Sequence, residues 1–157
     1  MQIKKIKIKF NNEAETNILK NESFTKMEVT YKSTNKGGDN EVLMTSKDLP
    51  TPEYMDEWNK LAKHATTICE LESKSEDIRV TGVSISIKDE EMKVGLISHK
   101  KIEASNSPLN LNAPQITEES MPDGLQDLVE KLMDMTKKYI KGERAQQTLF
   151  DDPDEEE

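Results

Sequence analysis

Ile78-Arg79-Val80-Thr81-Gly82-Val83-Ser84-Ile85-Ser86-Ile87-Lys88, followed by Asp89-Glu90-Glu91 and a second apolar segment from Met92 to Ala104, decides the fold. Val83, Ile85 and Ile87 alternate with polar residues, the period of a strand with one buried face. Ile78 and Val80 fall on the opposite phase and Gly82 stands at the switch, so a bulge or bend is expected there. The three acids make a tight turn, and Met92–Ala104 returns as the partner strand.

Three more strands are expected upstream. In Met1–Phe10, Ile6, Ile8 and Phe10 point one way while Lys5, Lys7 and Lys9 point the other. Phe24–Thr34 places Met27, Val29 and Tyr31 inward and Lys26, Glu28, Thr30 and Lys32 outward. Asn35–Asn40 contains two glycines and two asparagines, residues that tolerate positive φ, and reads as a hairpin loop before a third strand, Glu41–Ser46. Between the two groups of strands, Thr51-Pro52 starts a helix: the hydroxyl caps a free N–H, and proline at the first position forfeits no hydrogen bond. Tyr54, Trp58, Leu61, Ala62, Ala65, Ile68 and Cys69 follow as one apolar stripe, carrying that helix to about Glu72. Trp58 is read as a core anchor.

Downstream, 105–119 carries Pro108 and Pro114 with no periodicity and reads as an extended strap. Ser120 and Asp123 resemble a capping arrangement. Leu125, Leu128, Val129, Leu132, Met135, Tyr139 and Ile140 form a second amphipathic helix that stops at Gly142. The expected class is therefore α+β. It has a five-stranded, mostly antiparallel sheet in the order β-β-β-α-β-β, either open beneath a helix or curled into a partly open OB-like barrel. A C-terminal amphipathic helix and a disordered acidic tail follow. The corresponding divisions are 1–104 (core domain), 105–119 (strap), 120–142 (helix) and 143–157 (flexible tail).

Composition narrows the function. The 157-residue chain is 34% charged with a formal charge of −9, but six of its acids lie after Phe150, leaving −3 on the first 150 residues. The acidity belongs to the tail, which leaves too few carboxylates on the body for a phosphate-like array and ranks a DNA-mimic inhibitor last. A single cysteine, Cys69, excludes an internal disulfide and fits a reducing cytoplasm. No apolar run approaches the ~20 residues of a membrane span, so a soluble, cytoplasmic protein without a membrane partner is expected. His64 and His99 lie on different elements without clustered ligands, and no phosphate-binding or nucleophile motif occurs. No enzyme activity, metal or cofactor is expected.

Two features carry function. Lys5, Lys7 and Lys9, joined by Lys26 and Lys32 if the first two strands pair, form a face that could track the phosphates of single-stranded DNA. The same lysines suit a solvated outer face that guards against edge association. The other feature is Gln146-Gln147-Thr148-Leu149-Phe150, an apolar pair in a polar segment just before Asp151-Asp152-Pro153-Asp154-Glu155-Glu156-Glu157.

That segment resembles the peptide by which bacterial replication and repair proteins dock on the DNA sliding clamp: Gln, often Leu, a variable residue, then Leu-Phe. Gln146, Leu149 and Phe150 match, and Gln147 departs where Leu is common. The resemblance implies that Leu149 and Phe150 fill an apolar pocket while Gln146 hydrogen-bonds at its rim. Residues 78–116, through Val80-Thr81-Gly82-Val83 and Pro108-Leu109-Asn110-Leu111-Asn112-Ala113-Pro114, together with Tyr139-Ile140-Lys141-Gly142-Glu143-Arg144-Ala145-Gln146, resemble small phage and prophage proteins of unassigned biochemical role. Such proteins tend to be encoded among replication and recombination functions. The expectation is a non-catalytic phage-type accessory protein that docks on a partner such as the sliding clamp, with a single-stranded DNA-binding protein regulated by its acidic tail as the alternative.

Overall fold

A computed structural model of the chain describes residues 1–10, 24–71, 78–100 and 109–144. Among these residues seven strands, β1 (Gln2–Phe10), β2 (Phe24–Asn35), β3 (Gly38–Ser46), β4 (Ile78–Lys88), β5 (Glu91–Lys100), β6 (Leu109–Asn112) and β7 (Ile116–Thr117), form one antiparallel sheet. Its order is β3-β2-β1-β4-β5-β6, with β7 also pairing with β5. With them the described residues form three α-helices, α1 (Pro52–Asn59), α2 (Leu61–Ile68) and α3 (Leu125–Ile140), an α+β architecture. The sheet is open. Among the described residues β3 pairs with β2 and never reaches β5, so the OB-like barrel is excluded.

Two of the sheet's register breaks among the described residues let an irregular sequence present one apolar face. In β1, Ile3 faces Tyr31 and Lys5 faces Thr30, so Lys4 is an extra residue and Ile3, Ile6 and Ile8 are all buried. In β4, Val80 pairs with Ser98 and Gly82 with Ile97, which makes Thr81 the extra residue at the expected switch. Ile78, Val80, Val83 and Ile85 thereby join the core, whereas Ile87 at the end of the strand is 42% exposed rather than inward. Trp58 on α1 is buried, and its indole N–H donates to the Val80 carbonyl at 2.8 Å, tying the helix to the break.

The turns are tighter than the sequence suggests. β2 and β3 close through Lys36-Gly37, with Asn35 opposite Gly38, and β4 and β5 through Asp89-Glu90, with Lys88 opposite Glu91. Asp89 and Glu90 both take positive φ (54° and 66°), the two-residue turn whose twist suits a hairpin.

The single helix expected from Thr51 to Glu72 is two. Thr51 caps α1 as expected, its hydroxyl accepting from the Tyr54 N–H at 3.2 Å. At Lys60 the N–H turns back to the Glu57 carbonyl and the helix restarts as α2. α2 ends in a Schellman arrangement, Leu71 N–H to Thr66 and Glu70 N–H to Thr67, with Glu70 at φ 55°. α3 ends in the same way at Gly142, as expected. Its start differs: Glu118–Ser120 is a turn of 3-10 helix, and Gly124 at φ 89° precedes Leu125 without a side-chain cap, so Ser120 and Asp123 do not form the expected box. The segment read as a strap supplies β6 and β7, which run along the free side of β5.

The helices cover one face. α1 and α2 pack on β4, α2 also on β5, and α3 on β1 and the other two helices. Leu125, Leu128, Val129, Leu132 and Tyr139 are buried from α3, as the stripe requires, but Met135 is half-buried and Thr136 takes the interior position instead.

Candidate functional site

The face of the sheet turned away from the described helices carries the predicted lysines. Lys7 lies opposite Glu28, Lys5 opposite Thr30, Lys9 opposite Lys26, and Lys32 opposite Gln2. These pairs alternate with the buried pairs Ile6–Val29 and Ile8–Met27, so all five side chains share the outward face. They differ in charge balance. Lys26 is 3.2 Å from Glu28, and Lys32 is 3.5 Å from Asp39, whose carboxyl is held below its usual range by the Thr34 hydroxyl and then by Lys32. Among the described residues Lys5, Lys7 and Lys9 make no ion pair, which leaves a strip of three cations along β1.

Rings are missing from that strip. Phe10, Phe24 and Tyr31 are half-buried against the core, and Tyr54, Trp58 and Tyr139 are buried. Stacking on exposed aromatics supplies much of the energy of sequence-tolerant single-strand binding. The described part of this face offers charge and hydroxyls instead, with Thr30 and Ser84 flanking Lys5.

Arg79 did not stand out in the sequence. It is 5% exposed, its guanidinium lies 3.7 Å from the centre of the Phe10 ring, and burial lowers its pKa to about 10. His99 faces it across the ladder, with Asn110 on the other side. His64 is half-buried, and burial together with Lys63 pushes its pKa down. Among the described residues no group of three or more His, Cys, Asp or Glu is placed to hold a metal ion, and no helix is long and apolar enough to cross a membrane.

The third region is where α3 hands over to the segment bearing the clamp-like peptide. Gln146, Leu149 and Phe150 themselves, with the acidic run after them, lie outside the described residues. Their launching point is well defined. Arg144 pairs with the Asp48 carboxylate, donates from Nε to the Tyr139 carbonyl at 3.1 Å, and lies 4.6 Å over the Tyr139 ring. The Tyr139 hydroxyl in turn donates to the Asp48 carbonyl. Four residues after α3 ends at Ile140, the chain is therefore fastened to the β3–α1 connection. A cleft of about 220 Å3 opens beside this fastening, lined by Pro50, Thr51, Tyr54, Met135, Lys138 and Tyr139 among others. Nothing in the local sequence around Arg144 signals this contact, because its partner is 96 positions away.

No protein-family model, curated protein or solved structure matches this chain.

Proposed function

We propose that this is a non-catalytic, phage-type accessory protein of DNA replication or recombination, whose folded body presents a docking peptide to a bacterial sliding clamp. One observation carries the reading: Gln146, Leu149 and Phe150 lie within six residues after Arg144, which fastens the chain leaving α3 to Asp48. In this reading Leu149 and Phe150 enter an apolar pocket of the clamp, Gln146 fixes the register, and the acids from Asp151 onward disfavour other, acidic surfaces. The body acts as a carrier. A pulldown with purified clamp tests it: wild-type chain is expected to retain the clamp, and the Leu149→Ala, Phe150→Ala double variant is expected to lose it. Equal recovery by both would rule the reading out.

A second reading, single-stranded DNA binding, is favoured by the strip of Lys5, Lys7 and Lys9 with Lys26 and Lys32 beside it. It requires salt-sensitive oligonucleotide binding that tightens when residues 151–157 are removed. Absence of binding at low salt by the truncated chain would eliminate it. The lack of exposed rings on the described face ranks this reading second.

A further inference from the structure

The two edges of the sheet are built differently. One is broken into short pieces, β6 with 4 residues and β7 with 2. The other is β3, 9 residues long, and its ladder with β2 runs without a register break from Asn35–Gly38 to Met27–Ser46. Among the described residues β3 has no second partner strand. Soluble proteins blunt such edges with lysine, proline, bulges or brevity. Gly38–Ser46 carries two acids, Asp39 and Glu41, towards one end, but no lysine, proline or register break, and it is not short. It displays Leu43 at 66% exposure, ahead of Met1, Leu109 and Ile87 among the exposed large apolar side chains.

We propose that the β3 edge is a self-association surface, on which a second copy of the chain pairs its own β3 antiparallel and extends one sheet into the next. Its own sequence argues for this occupant. A two-fold axis normal to the sheet keeps outward residues opposite outward residues, so residue numbers in facing positions must sum to an even value. The sum 86 places Leu43 opposite its copy and Val42 opposite Met44. Glu41 then faces Thr45, and Asp39 faces Lys47.

Shifting the sum to 84 sets Glu41 against Leu43 and Asn40 against Met44. Shifting it to 88 keeps opposite charge at the ends, Glu41 against Lys47, but sets Leu43 against Thr45 and Val42 against Ser46. One register alone therefore joins the apolar contacts on both faces to opposite charge at both ends. Val42 and Met44, half-buried on the helix-covered side, would gain cover from the partner strand, and paired backbone groups would replace the open row along the edge.

Sedimentation equilibrium of the full chain over a concentration series tests this. The expected result is a reversible species of twice the 17.9 kDa chain mass. Leu43→Lys sets two ammonium groups against each other at the axis and is expected to weaken the dimer by about tenfold or more, with an unchanged circular dichroism spectrum because Leu43 is exposed. Asp39→Lys alone is expected to weaken it as well, and Asp39→Lys with Lys47→Asp to restore it. Should Leu43→Lys fail to fold, the charge swap carries the test. A chain that sediments as a monomer throughout, a dimer indifferent to Leu43→Lys, or a swap that does not restore association overturns the proposal.

Discussion

Thr136 shows how much depends on one hydroxyl in this core. It is fully buried on α3, donates to the Leu132 carbonyl at 2.6 Å, and accepts from the Tyr54 hydroxyl at 2.8 Å. The relay satisfies a phenol that is itself 2% exposed. Thr136→Val keeps the shape and strands that phenol, so a loss of about 1–3 kcal/mol is expected by denaturant unfolding. Adding Tyr54→Phe removes the stranded group and should recover part of the loss; a double variant no better than the single one would contradict the relay. The same burial raises the Tyr54 pKa above its ordinary value of 10.0, mainly through desolvation. The unfolded chain then releases the Tyr54 proton at lower pH than the folded chain. Stability is full below the unfolded value and falls as pH climbs through 10 toward the folded one. Tyr54→Phe should flatten that alkaline decline in thermal midpoint, and an unchanged slope would place the effect elsewhere.

At the scale of elements, local chemistry and long-range pairing made unequal marks on the sequence. The break at Gly82 was legible because alternation changes phase there, and the lysine face because period-two spacing puts Lys5, Lys7 and Lys9 on one side. The division between α1 and α2 was not, since the stripe continues from Trp58 to Leu61 and Lys60 is neither glycine nor proline. β6 and β7 were hidden for another reason. Four and two residues between prolines are too few to show a period, and their strand character comes from hydrogen bonds to β5. The Arg144–Asp48 fastening joins distant segments and leaves no local trace. Turn chemistry offers a test at this scale. Glu90 holds φ at 66°, where a side chain costs about 1–2 kcal/mol and glycine does not. After the extra backbone freedom that glycine gives the unfolded chain, Glu90→Gly is expected to stabilise by about 0.5–1 kcal/mol in denaturant melts. A destabilised variant would contradict the left-handed turn.

For the molecule as a whole, the fold separates tasks. One face of the sheet is spent on helices and core, the other carries lysines with hydroxyls and acids, and the chain leaves α3 from a fastened corner. If the body serves as carrier of the peptide, as proposed, docking survives changes to the lysine face. Lys5→Gln with Lys7→Gln should leave clamp retention unchanged while lowering any oligonucleotide binding, measured side by side. The proposed docking role requires residues 145–157 to be both sufficient and necessary for clamp binding. Titrating purified sliding clamp with the full chain, with the chain ending at residue 144, and with a synthetic 145–157 peptide as competitor measures this. Binding by the full chain, none by the shortened chain, and displacement by the peptide are expected; binding retained by the shortened chain, or a peptide that displaces nothing, would contradict the docking role.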